Sequence, residues 1–476
     1  GYLFVGFAVA ALLQALGTTS PQASLIHLTL WWLHSLLALG LIAAFPYTRL
    51  LHSLAGEWLI STRQQSLGVM TPIAIEEVEA TGRVGVERIE DFTRQQLTEL
   101  DACVSCGRCQ DACPAHEAGK PLSPRDVVQD LRSHLNIIGP LLLAGIEESD
   151  REQHPKLHEE TISAETLWSC TSCHACVDVC PLDVDPLKMI TDMRRHLVGE
   201  GHLRGSPATA LQKMQRSGNP WGLPADERLH WAEGLEVPTV HENQDFEVLY
   251  WVGCAASYDR RIQRVARAVV QLLHHAQVNF AVLGPEERCT GESARRMGDE
   301  FLFQELAASN LATLQQHEVK KIITHCPHCL NSLTNDYSQF GGEFEVIHHS
   351  QFLQELVEQG KLPAPDRSAQ DSGQVTYHDP CYLARVQQIS EPPRQLIELV
   401  LPANSSLREM PRRREETACC GAGGGNMWHE NNRGELVNNV RMQQIIDSGA
   451  EQVVTACSFC MIMLDDAAKG MGKADD

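Results

Sequence analysis

Residues 103–114 read CVSCGRCQDACP, and residues 170–181 read CTSCHACVDVCP. Each run is Cys-x2-Cys-x2-Cys-x3-Cys-Pro. Three thiols two residues apart wrap a tight loop around one corner of a [4Fe–4S] cubane. The fourth lies too far along to serve the same corner, and where such runs come in pairs it reaches the other cluster. On that rule Cys103, Cys106, Cys109 and Cys180 hold one cubane, and Cys170, Cys173, Cys176 and Cys113 hold the second. Pro114 and Pro181 close the loops and offer no competing backbone donor. Zinc would call for two CxxC or Cys/His pairs, not a 2-2-3 spacing followed by proline.

The chain has 476 residues, 17 of them cysteine. That length exceeds one compact core and predicts three or more domains. All 17 cysteines fall in tight spacings, which argues for metal ligands and not for a secreted disulfide framework. Thiolate ligands need a reducing compartment, so this part of the chain is expected in the cytoplasm. A net charge of −22 excludes nucleic acid as a partner. The one dense basic run, Arg412 to Arg414, reads as a solvated surface patch; docking of an acidic partner is the alternative.

Toward the C-terminus a second pattern repeats. Cys254 follows VLYWVG, and Cys326-x2-Cys329 follows KKIITH. Cys381 follows VTYHDP, and Cys457-x2-Cys460 follows EQVVTA. The intervals from the first cysteine to the CxxC pair are 72 and 76 residues, which predicts a duplicated unit of roughly 115 residues. Apolar β-type runs alternate with helical stretches such as 259–275 and 432–447, so both units are expected to be small α/β domains. Between the two landmarks the second unit carries Cys419-Cys420-Gly421 and the first carries Cys289-Thr290-Gly291. The second unit thus has five thiols, one more than a cubane or a zinc ion uses. The first has four, enough for an ordinary cluster, another metal or a different iron geometry. The GAGGG at 421–425 follows a cysteine pair and opens no βαβ unit, so its glycines are expected to let backbone pass close to a cluster. His325, His328 and His378 flank cysteines and read as hydrogen-bond donors that tune potential. His348-His349 reads as surface.

The N-terminal end is apolar. Residues 25–45 are long enough for one membrane span. Residues 1–16 would rise only about 24 Å as a helix, short of the roughly 30 Å hydrocarbon core, and read as part of another span. Arg49 and Arg63 follow the span while residues 17–24 carry no basic residue, which places the rest of the chain on the cytoplasmic side. The expected order is transmembrane helices over 1–60, a helical stalk over 61–100, a helical two-[4Fe–4S] domain over 101–205, a linker over 206–245, and cysteine-rich units over 246–360 and 361–476.

HDPCYLAR (378–385), CCGAGGGNMW (419–428) and TACSFCMIML (455–464) resemble the cysteine-rich, or CCG, domain of heterodisulfide reductase and its relatives. The latter include iron–sulfur subunits of glycolate, lactate and glycerol-3-phosphate oxidation. A ferredoxin-like two-cluster segment ahead of two such domains has the order of the reductase's D-type subunit. The same text is similar to membrane iron–sulfur proteins proposed to link electron-transfer flavoprotein to menaquinone, which carry a domain like the cytochrome b subunit of nitrate reductase. The resemblance implies a non-cubane [4Fe–4S] cluster on Cys381, Cys419, Cys420, Cys457 and Cys460. It implies the same ligand set less one on Cys254, Cys289, Cys326 and Cys329, where a further iron–sulfur or metal centre is expected. It also implies haem b near His34 and His52, which are 18 residues apart and would share one helix face. Pro46, between them, would perturb that face. The expected function is electron transfer from a soluble flavoprotein to membrane quinone by a multi-pass protein of the cell inner membrane. Direct disulfide reduction, or service as the iron–sulfur subunit of a glycolate, lactate or glycerol-3-phosphate dehydrogenase, is the alternative.

Overall fold

The computed structural model describes residues 3–17, 19–48, 50–62, 66–147, 153–363, 373–402, 405–429 and 433–473. Helix α1 (Leu3–Ala15) leads into α2 (Ser20–Ala44), and α3 (Leu51–Thr62) follows a tight turn at Phe45–Tyr47. Among the described residues, Ser20–Tyr47 is the one helical stretch long and apolar enough to cross a membrane. None of α2 is buried. A helix apolar all round and covered by nothing suits a lipid surrounding. Pro46 sits in the turn, so His34 and His52 lie on separate helices, and the shared face expected from their spacing is lost. Arg49 and Arg63, which carried the expected orientation, lie outside the described residues.

Helix α3 packs along the helix Arg94–Ala102, and its Ala55 and Leu59 join the core of the two-cluster domain with Leu100, Leu131 and Met193. The stalk expected over 61–100 does not form. Its helical pieces are short, and residues 68–73 lie in extended contact with other domains. The Gly68 carbonyl accepts from Arg296 and Asn331, that of Thr71 from Arg195, and that of Ile73 from Gln304. Backbone polar groups need such partners when buried. The linker expected over 206–245 is likewise built into the fold. It forms the helix Ser206–Ser217 and buries Met214, Asn219 and Trp231.

The first cysteine-rich unit is a parallel sheet of β1 (Val248–Trp251), β2 (Phe280–Ala281), β3 (Lys321–Thr324) and β4 (Glu345–His348), in the order β2-β1-β3-β4. Val248 and Tyr250 face one helical layer, which includes Ile262, Ala266, Val270 and Leu273 of the helix Arg260–His275. Leu249 and Trp251 face the other, with Phe303, Leu311 and Leu314. A strand covered on both faces is apolar throughout, as VLYW is. The second unit repeats the plan with β5 (Val375–His378), β6 (Leu407–Arg408) and β7 (Gln452–Thr455) in the order β6-β5-β7, all parallel. In both units the central strand leads into the first cysteine and the next parallel neighbour leads into the CxxC pair. The carboxyl ends of parallel strands, where ligands gather in open α/β sheets, therefore carry the thiols.

Candidate metal centres

The two ferredoxin-type motifs exchange their fourth cysteines. Burial, then repulsion from Cys103, Cys180 and Cys106, pushes the Cys109 thiol up to about 11. Cys180 thus sits with the first motif. Cys113 sits with the second, where burial and then Cys173 and Cys170 raise it strongly, and Cys176 feels Cys170, Cys113 and Cys173. Gly107 and His174 open the short helices Arg108–Asp111 and Ala175–Asp178 in left-handed conformation, which turns each loop back on its three thiols. Cys106 is exposed, whereas Cys113, Cys170 and Cys173 are buried.

In the first cysteine-rich unit the Sγ atoms of Cys254 and Cys289 are 3.8 Å apart, and Cys329 is close to Cys326, Cys254 and Cys289. Thr290 lines the same pocket and is buried. Glu287 fixes the loop of Cys254. It accepts from the backbone N–H of Val252 at 3.0 Å and of Gly253 at 2.8 Å, and it pairs with the buried Arg228. In the second unit Cys419 touches Cys381 and Cys420, and Cys420 touches Cys460. Asp379, two residues before Cys381, accepts both Nη atoms of Arg394 at 2.7 Å and the Arg414 backbone N–H at 2.8 Å. Gly291, after Cys289-Thr290, and Gly421, after Cys419-Cys420, both adopt positive φ, a conformation that costs glycine nothing.

All 17 cysteines are free thiols. In each group a thiolate's charge opposes a second ionisation beside it, so several thiolates can coexist there only around a cation. Iron–sulfur clusters fit that donor set.

The four groups form a continuous row. Leu182, two residues past Cys180, packs on Gly56 of α3, where a Cβ would meet its side chain at 2.8 Å. Cys173, on the far side of the two-cluster domain, contacts Cys419. Cys457 in turn interacts with Cys326 of the first unit. His328 lies between these last two sites. Burial would lower its pKa, but Glu292 at 2.9 Å, with Cys457 and Cys326, outweighs burial and raises it to about 10. The expected close passage of GAGGG is seen at the second motif: a Cβ on Gly423 or Gly424 would fall 2.2 Å from the Thr171 carbonyl oxygen or 2.3 Å from that of Cys170.

His378 accepts from Arg441 Nε at 3.0 Å through Nδ1, which leaves the proton on Nε2. Its ring lies near Cys420 and Cys460, and its protonated Nε2 is buried without a hydrogen-bond partner among the described residues, so the tautomer offers the thiols an N–H and not a ligand. His325 Nδ1 meets the Tyr250 hydroxyl at 2.9 Å. His348 is fully buried and bonded to Ser350 and the Ala456 carbonyl, which corrects its reading as surface; the end of β4 is enclosed between the two units. Of the basic run, Arg412 pairs with Glu117, Arg413 lies near Glu409, and Arg414 pairs with Glu391. Sequence reasoning missed Glu287, Arg228, Glu292 and Arg441. Asp379 carried a visible signal, standing in HDPC beside the first cysteine. His34 is exposed on α2 and His52 half-buried on α3.

A family described as "4Fe-4S dicluster domain" matches residues 96–181, and one described as "Cysteine-rich domain" (CCG) matches residues 248–334 and 375–465. The chain is 36% identical, over 98% of its length, to the probable iron-sulfur-binding oxidoreductase FadF of Bacillus subtilis, of which it covers 70%. It is 35% identical, also over 98%, to the EtfAB:quinone oxidoreductase of Syntrophomonas wolfei, of which it covers 68%. With the D-type subunit of the dihydromethanophenazine:CoB–CoM heterodisulfide reductase of Methanosarcina barkeri it shares 30% identity over 79% of this chain and 91% of the relative.

Proposed function

Since the chain belongs to the heterodisulfide reductase D-like family of iron–sulfur oxidoreductases, we propose that it carries electrons between a soluble flavoprotein and membrane quinone. The observation behind this reading is the row of four thiol groups, which starts beside α3, next to the apolar helix α2, and ends in the first cysteine-rich unit. Bound at these sites, iron–sulfur clusters supply one-electron carriers. The two ferredoxin-type groups would hold [4Fe–4S] cubanes with exchanged fourth ligands. Cys381, Cys419, Cys420, Cys457 and Cys460 would hold a non-cubane [4Fe–4S] cluster, and Cys254, Cys289, Cys326 and Cys329 a different four-thiolate centre. The protein's own work is placement: Glu287 and Asp379 hold the first-cysteine loops, His378 keeps an N–H near the second unit's thiols, and burial covers all nine thiols of the cysteine-rich units.

Placement of the chain at the inner membrane, with its thiol sites on the cytoplasmic side, belongs to the same proposal and is supported by the helix Ser20–Tyr47. His34 and His52 enter it as single imidazoles on two helices, each in need of a second ligand from elsewhere, so the path is not drawn through haem. All nine thiols of the cysteine-rich units are buried, which favours electron transfer over direct attack on a bulky disulfide. The test uses full-length protein in lipid with its clusters intact. Reduced electron-transfer flavoprotein should drive reduction of a menaquinone analogue, and Cys173→Ala should abolish it. Turnover of a disulfide substrate with no quinone reduction would contradict the proposal.

A further inference from the structure

Arg194, on the helix Pro186–Gly199, is completely buried. Its Nε and Nη2 donate to the Leu167 carbonyl at 3.0 and 2.6 Å, and Nη2 donates to that of Cys170 at 2.7 Å. Nη1 donates to the carbonyls of Arg296 at 2.8 Å and Gly424 at 3.3 Å. Every hydrogen-bond partner is a neutral main-chain oxygen, and the Trp168 ring lies 5.2 Å from the guanidinium. Among the described residues no carboxylate pairs with this guanidinium, and the one anionic group acting on it is the Cys170 thiolate. A second buried arginine approaches from the other domain: Arg385 donates to the carbonyls of Cys173 at 2.9 Å and Thr417 at 2.6 Å. Among the described residues the carboxylate paired with it is Asp178, which stands 3.8 Å away and is exposed.

A buried cation without a counter-ion is costly. Among the described residues Arg194 has none and Arg385 only the distant, exposed Asp178; each is bonded to the main chain of a ligand cysteine in one motif, and together they point to an anion between them. We infer that Arg194 and Arg385 are the counter-charges of the cluster held by Cys113, Cys170, Cys173 and Cys176, and that they set its reduction potential above the value this burial would otherwise give. Reduction adds one negative charge to the cluster, and a fixed positive charge in a low-dielectric setting favours that form. Among the described residues the first motif has no such pair. There Arg132 reaches the Cys103 carbonyl at 3.4 Å but is partly exposed and faces Asp101 at 3.6 Å, and Cys106 is open to water. The arginines thus act on one cubane of the two, the one in contact with Cys419.

The inference rests on the ligation proposed above, and its test keeps the two apart. The full-length protein is titrated potentiometrically with EPR detection, as wild type and as Arg194→Gln, Arg194→Lys and Arg385→Gln. Glutamine keeps donors but removes charge; lysine keeps charge but loses the fork. Arg194→Gln should move one cubane signal to a more negative potential and leave the other in place. Arg194→Lys should hold the wild-type value even if it lowers thermal stability. Arg385→Gln should shift the same signal, and it gives the reading if Arg194→Gln does not fold. An unmoved signal in both glutamine variants, or an equal shift of both cubanes, overturns the inference and leaves the ligation standing. A wild-type protein without two cubane signals overturns both.

Discussion

The two cysteine-rich units share a parallel sheet, a first cysteine at the end of the central strand and a CxxC pair at the end of its neighbour, yet they differ at two points. One is a single side chain: Thr290 stands where Cys420 stands in the second unit. The other is a neighbour. Cys419 of the second unit contacts Cys173 of the two-cluster domain, while the first unit joins the row where Cys326 and His328 lie near Cys457. The fold alone therefore does not say what a unit binds or where it stands in an electron path. A hydroxyl is a poor iron ligand beside a thiolate, and adjacency to the cubane makes the second unit the junction.

That comparison can be broken first at its anchors. Glu287→Ala leaves Arg228 buried and unpaired, and Asp379→Ala does the same to much of Arg394's bonding. Losing one partner of a buried pair costs about 3–5 kcal/mol. Thermal or urea unfolding of the cluster-loaded protein should show losses of that order in both variants. Should one unit tolerate the change and the other not, the two anchors are not equivalent. Next, Cys420→Ala should remove the spectroscopic signature of the second unit while iron in the first unit remains. Loss of both would mean the units share one centre. A smaller change sharpens the contrast: Thr290→Cys gives the first unit a fifth thiol in a pocket already lined by Cys254, Cys289 and Cys329, and its EPR signature should come to match that of the second. An unaltered spectrum would show that position 290 is not what separates the units. The smallest effect is expected from His378→Leu, which removes one N–H near Cys420 and Cys460. An N–H near sulfur without a formed hydrogen bond is worth at most the about 1 kcal/mol of one, which corresponds to no more than a few tens of millivolts for one electron. The second unit's potential should fall by that order, with the first unit unmoved.

Local spacing carried much of this in the sequence. The Cys-x2-Cys-x2-Cys-x3-Cys-Pro runs announce their loops because four ligands lie within eleven residues, and the duplication shows because strand and cysteine recur together. Gly423 and Gly424 were legible as a close approach, although not as an approach to the Cys170–Thr171 backbone. Contacts across long separations left no such trace. Arg194 and Gly424 are 230 residues apart, and neither has a local pattern that names the other. The stretch 66–74 reads as part of a stalk because it lies between helical segments, yet its carbonyls are taken up by Arg195, Arg296 and Gln304. The helical periodicity linking His34 to His52 failed for a local reason, the Pro46 turn.

The central claim is the spatial order of the row, with the second ferredoxin-type centre directly beside the five-thiol centre. Magnetic coupling measures that adjacency. In the full-length protein, with iron counted per chain, pulsed EPR relaxation should show the Cys113–Cys170–Cys173–Cys176 centre relaxed strongly by the Cys381–Cys419–Cys420–Cys457–Cys460 centre, and the Cys103–Cys106–Cys109–Cys180 centre relaxed much less by it. Cys420→Ala should remove the enhancement from the former alone. Two cubanes equally and weakly affected, or a five-thiol site that holds no iron, would contradict the row as drawn.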